Sequence, residues 1–131
     1  MADILIVDDD TSVGLTFERM LREAGHRARR AESADHALLS IDQECPDAVI
    51  LDIRMPAMDG MDFLRRLRSD PRLAGLPVGI VTGDYFLKDE VLAELAALHV
   101  EVRYKPMWMD DFQALAAMLL ASNRSPARQP S

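Results

Sequence analysis

Short, continuously apolar runs alternate with helically spaced stretches from one end of the chain to the other. Ile4-Leu5-Ile6-Val7, Ala48-Val49-Ile50-Leu51 and Val78-Gly79-Ile80-Val81 have no polar position, as expected of strands covered on both faces. Two more polar runs, Arg27 to Ala31 and Val100 to Tyr104, predict a second strand at a sheet edge and a fifth strand. Between them the period changes to that of helices. Val13, Phe17, Met20, Leu21 and Ala24 make one stripe, with Gly25 placed for a left-handed cap. Ser33 is set to cap a helix that buries Ala34, Ala37, Leu38 and Ile41. Leu64 and Leu67 point inward from a third helix that Asp70-Pro71 ends. Val91, Leu95 and Leu98 mark a fourth between Leu87 and Leu98, and Phe112, Leu115, Ala116 and Leu119 a fifth beginning near Asp110. Five βα units of this kind predict an α/β fold, an open doubly wound parallel sheet of five strands.

The chain of 131 residues has room for one such domain, over about residues 1–121. Residues 122–131 form a Ser/Pro/Arg tail that reads as disordered or as the start of a linker. With 15 basic and 22 acidic side chains the net charge is -7, which disfavours nucleic acid and anionic membrane surfaces as partners. No apolar run approaches the roughly 20 residues of a membrane span, and no basic signal start precedes Ile4, so a cytoplasmic location is expected. Cys45 is the only cysteine and reads as packing. His26, His36 and His99 have no ligand spacing, and Gly14, inside the first helix, has no role that the sequence explains.

Chemistry concentrates where the strands end. Asp8-Asp9-Asp10 follows the first strand, Asp52 the third, Thr82 closes the fourth and Lys105-Pro106 follows the fifth. Each alone has an ordinary explanation, as a helix cap or a solvated polar residue. In a doubly wound sheet, however, these ends converge on one crevice outside the carboxyl edge. Carboxylates crowded there repel by roughly several kcal/mol at an effective dielectric of about 20, and a hard divalent cation relieves that repulsion. Mg2+ takes a few carboxylate or carbonyl oxygens and leaves positions for phosphate oxygens. Asp52, alone at the end of the central strand, is the best nucleophile for a phosphoryl group; Asp8 and Asp9 suit metal holding.

The motifs Ile6-Val7-Asp8-Asp9-Asp10, Leu51 to Gly60, Val81-Thr82-Gly83 and Tyr104-Lys105-Pro106 occur in this order, and over about residues 3–121 the chain resembles the receiver domain of two-component response regulators. The resemblance implies a flavodoxin-like (βα)5 domain with strand order 2-1-3-4-5. It would take a phosphoryl group from a sensor histidine kinase or a histidine phosphotransfer protein. By position, Asp52 would be the phosphoacceptor, with Asp8, Asp9, Asp52 and the backbone carbonyl of Arg54 holding Mg2+. Thr82 would be the switch hydroxyl, Gly83 would leave room for phosphate and Lys105 would neutralise it. Asp10 falls outside the usual pair and is assigned to capping.

The chain also departs from that pattern. The aromatic residue usual three places before the lysine is Val102 here; Tyr104, two residues on and on the same face, is the candidate substitute. Met107-Trp108-Met109 stands where a single Phe is more usual, and packing onto the last helix is the favoured reading over a partner surface. Arg54 and Asp84 occupy places that in the family tune phosphoryl lifetime, and their opposite charges suggest slower dephosphorylation. Such a domain catalyses only its own modification and is not a turnover enzyme. A phosphatase with an Asp-x-Asp site is disfavoured by Arg54, and a flavin site by the three aspartates after the first strand. The remaining alternative is a receiver-like binding module that signals without phosphate. The output protein, homodimer formation and the length of the whole regulator are left open.

Overall fold

The computed structural model describes residues 2–51, 60–83, 87–105 and 107–121. Five strands, β1 (Asp3–Val7), β2 (Arg27–Ala31), β3 (Ala48–Leu51), β4 (Val78–Thr82) and β5 (Val100–Tyr104), form one parallel sheet in the order β2-β1-β3-β4-β5. The helices are α1 (Thr11–Glu23), α2 (Ala34–Gln43), α3 (Gly60–Ser69), α4 (Asp89–Ala97) and α5 (Met109–Ala121). The expected fold class, the strand order and the edge position of β2 are all present. The tail at 122–131 lies outside the described residues.

Both faces of the sheet are covered, which is why β1, β3 and β4 tolerate almost no polar side chain. Leu5, Val7, Val49, Leu51, Val78 and Ile80 pack under α2, α3 and α4. Ile4, Ile6, Ala48, Ile50 and Val81 pack under α1 and α5, where the Phe17 and Phe112 rings lie 4.4 Å apart. Alternate residues of one strand thus serve two separate cores. Gly79 lets α5 come close: a Cβ there would lie 3.0 Å from Leu119 Cδ1 and 3.4 Å from Leu115 Cδ1.

Helix ends follow the local chemistry. The Asp10 carboxylate accepts hydrogen bonds from the N–H groups of Ser12 and Val13 at 2.9 and 3.2 Å, confirming its capping role at α1. Gly25, at φ 90°, follows the C-cap of α1 in the left-handed region. The Ser33 hydroxyl accepts from His36 N–H at the start of α2, and α3 stops at Ser69, before Asp70-Pro71. Two expected stripes are altered. Ala24 is exposed because it is the C-cap of α1, and its place in the buried stripe is taken by Gly14. In α4 only Leu95 is fully buried; Val91 and Leu98 cover the rim of the core because α4 lies beside the edge strand β5.

Candidate functional site at the carboxyl edge of the sheet

The register fixes which side chains meet at this edge. Leu51, the last residue of β3, pairs with Val7 of β1 and with Ile80 of β4, so β3 is central. Asp8 directly follows Val7. Its backbone N–H continues the β1–β2 ladder to the Ala31 carbonyl at 3.1 Å, so the residue is held as firmly as the strand. Its side chain is only 5% exposed, and its Oδ1 accepts the Asp10 N–H at 2.9 Å. Asp9 faces solvent. One carboxylate is therefore buried and oriented while its neighbour is open, an oxygen pair of the sort that Mg2+ accepts alongside waters. Among the described residues no group of three or more metal-ligating side chains gathers.

Across the sheet, Thr82 ends β4 fully buried. Its carbonyl accepts the Lys105 N–H at 2.8 Å, which binds the chain after β5 to the end of β4. A Cβ built on Gly83 would meet only the Lys105 Cδ, at 4.0 Å, so the Lys105 stem runs past an open glycine. Lys105 also lines a cavity of about 400 Å3 with Ser12, Val13, Thr16, Phe17 and Met107, so it borders the start of α1. The Asp8–Asp10 turn, Thr82, Gly83 and Lys105 are thus brought to one end of the molecule. Asp52, Arg54 and Asp84 lie outside the described residues.

Val102 and Tyr104 share one face of β5, beside Ile80 and Thr82 of β4 respectively. Val102 packs against the core under α4, whereas Tyr104 is 38% exposed. The lateral neighbour of the Thr82 side chain is therefore Tyr104. The reading that Met107, Trp108 and Met109 pack onto α5 holds only for Met107, which joins the α1–α5 core. Trp108 is 72% exposed, since α5 begins at Met109 and turns its apolar stripe of Phe112, Leu115 and Leu119 to the sheet, away from that position.

No reason for Gly14 is legible in the sequence. In the structure it is buried on α1, and a Cβ there would lie 3.2 Å from the Arg30 Cδ, so the glycine makes space for the Arg30 stem. Helical spacing places residue 14 beside Phe17 and Leu21, which was the available signal.

The family model of the response regulator receiver domain matches residues 4–115. The chain belongs to the response regulator receiver domain family. The transcriptional regulatory protein PrrA of Mycobacterium tuberculosis is 38% identical over 110 residues, covering 72% of this chain and 46% of that protein. Protein PilH of Pseudomonas aeruginosa is 39% identical over 82 residues, 63% of this chain and 68% of PilH. This receiver domain spans about half the length of PrrA. Among solved structures, the Vibrio cholerae chemotaxis protein CheY4 aligns with a TM-score of 0.83 at 25% identity, covering 92% of this chain and 99% of that one. A response regulator receiver domain protein from Clostridium thermocellum aligns at 0.80 and 26%, covering 92% and 95%. No helix among the described residues of the receiver is long and apolar enough to cross a membrane.

Proposed function

We propose that this receiver accepts a phosphoryl group on Asp52 from the phosphohistidine of a sensor histidine kinase or histidine phosphotransfer protein, and that the modification changes its contacts with an output protein. The observation that carries the reading is the convergence of Asp8, Thr82 and Lys105 at the carboxyl edge, around the end of the central strand that Asp52 follows. The Asp52 carboxylate oxygen attacks phosphorus, an aspartyl phosphate forms, and the P–N bond breaks with the electron pair leaving on the imidazole.

Asp8 and Asp9, with Asp52 and the Arg54 carbonyl, would hold Mg2+. When bound, that cation neutralises phosphoryl oxygens. The Lys105 ammonium supplies a second positive charge from the β5 side, and the Thr82 hydroxyl donates to a phosphoryl oxygen. Gly83 leaves that approach unobstructed. Tyr104 takes the part of the aromatic residue absent at Val102, because it is the neighbour of Thr82 across the β4–β5 ladder. Arg54 and Asp84, two places past the acceptor and the switch threonine in sequence, are assigned by their opposite charges to slowing attack by water.

Incubation with acetyl phosphate and Mg2+, followed by intact mass, tests the acceptor chemistry. The parent gains one phosphoryl group, Asp52→Asn gains none, and Asp8→Asn/Asp9→Asn loses the Mg2+-dependent gain. No gain where another receiver is modified would favour a binding module that signals without phosphate. Replacing both Arg54 and Asp84 by alanine is expected to speed decay of the phosphorylated form; an unchanged rate removes that assignment.

A further inference from the structure

At the opposite, amino-terminal end of the strands lies a cavity of about 570 Å3, within the range of small-ligand sites. Leu76, Pro77, Ala96, Val100 and Leu119 form aliphatic parts of its wall, and Arg68 from α3 supplies a cation. The Arg68 Nε donates to the Leu98 carbonyl at 2.8 Å, and Nη1 donates to the Leu76 and Leu73 carbonyls at 2.7 and 3.3 Å. These bonds tie the C-terminal end of α4 to the α3–β4 connection and hold the guanidinium still. They also leave Nη2, with two N–H groups, without a protein acceptor among the described residues.

Arg68 differs in this from three arginines on the elements around it. Arg65 pairs with Glu94 and Asp62, Arg72 with Asp70, and Arg103 with Glu101. Arg68 has no carboxylate within salt-bridge distance among the described residues, although burial alone pushes its pKa down. Carbonyls satisfy hydrogen bonds but bring no counter-charge, and a desolvated cation lacking one gains from a bound anion. Glu101 also lines the cavity, so its field opposes a ligand of multiple negative charge.

We propose that this cavity binds a small organic monocarboxylate with an aliphatic body, its carboxylate on Arg68 Nη2 and its chain along the exposed Ala74 and Ala96 beside Val100. One nitrogen with two donors suits a single carboxylate. The walls suit hydrocarbon, and the site lies at the end of the sheet away from Asp8, Thr82 and Lys105. Occupancy bridges the α3–β4 connection and the α4–β5 turn.

The test is a titration of the 15N-labelled full chain with hexanoate, read by amide shifts, beside hexan-1-ol as an uncharged match. Saturable shifts confined to Gly75, Leu76, His99, Val100 and their neighbours are expected with hexanoate, and binding of the alcohol at least about tenfold weaker. Arg68→Met removes the cation but also three structural bonds. Ala96→Phe, at an exposed position on α4, fills the cavity and leaves Arg68 in place; it is expected to abolish the shifts. Absent or scattered shifts, equal binding of acid and alcohol, or unchanged binding in a folded Ala96→Phe variant would overturn the proposal. The result is independent of acceptor chemistry, since Asp52→Asn should bind hexanoate equally.

Discussion

Substituting Gly79 by alanine tests the packing that brings α5 against the sheet. The new Cβ would lie 3.0 Å from Leu119 Cδ1, with the two Leu115 methyls at 3.4 and 3.5 Å. Comfortable carbon contacts lie at about 3.5–4.0 Å, so the Leu119 methyl must retreat by roughly half an ångström. It has little space to do so: Leu115 and Leu119 are each only 2% exposed, in the core that also holds Phe17 and Phe112. Overpacking of this kind costs about 1–3 kcal/mol. Alanine in a strand recovers about 0.5–1 kcal/mol of backbone entropy relative to glycine. The net expectation is a loss of about 0.5–2 kcal/mol, with the domain still folded.

Urea unfolding measures it. At a slope of about 2 kcal/mol/M the midpoint should fall by roughly 0.25–1 M, with the slope unchanged. A second-site change separates the contact from other causes. Leu119→Ala alone opens a cavity and costs about 2–5 kcal/mol, whereas in the Gly79→Ala background the added methyl occupies part of the vacated space. The double variant should therefore lose less than the sum of the singles, by about 0.5 kcal/mol or more. An undiminished midpoint for Gly79→Ala, or strict additivity in the double variant, would refute the close approach of α5 to β4.

Gly14→Ala should behave differently although both glycines are buried. Its Cβ meets the Arg30 Cδ at 3.2 Å, the far part of a flexible side chain, and alanine gains about 1 kcal/mol of helix propensity, so urea unfolding should show stability unchanged or raised by up to about 0.5 kcal/mol. Asp10→Ala removes the acceptor for the Ser12 and Val13 N–H groups, and is expected to cost about 0.5–2 kcal/mol of stability while mass gain from acetyl phosphate persists. Glu94 is held below the usual carboxyl range chiefly by its hydrogen bonds from Arg65. A depressed carboxyl stabilises the fold above its unfolded pKa, and that part is lost as pH falls through the folded value. The urea midpoint of Glu94→Gln should accordingly lie below the parent's at pH 7, with the gap closing in acid and narrowing in high salt.

What could be read from the sequence and what could not divides along physical lines. The strands were legible because a sheet covered on both faces leaves unbroken apolar runs, as in Ile4 to Val7 and Ala48 to Leu51. The gathering of Asp8, Thr82 and Lys105 was legible because topology alone sends successive strand ends to one edge. Gly14 and Trp108 were not. Their roles depend on which residue of a distant element arrives opposite: the Arg30 stem in one case, none of the apolar residues of α5 in the other. Local periodicity says that a face is buried, and is silent on the shape of what it meets.

That distinction bears on Tyr104. Sequence spacing put Val102 and Tyr104 on one face of β5 without saying which of them neighbours the threonine. The β4–β5 register does, pairing Thr82 with Tyr104 and Ile80 with Val102. A half-exposed phenol beside a buried hydroxyl can report a movement of Thr82 to the surface, which a partly buried aliphatic side chain packed against the core cannot. On the proposed function, the coupling is then carried not at Val102 but by Tyr104, nearer the edge where Thr82 ends β4. Tyr104→Ala should then leave the mass gain from acetyl phosphate intact while altering the proposed contacts with an output partner.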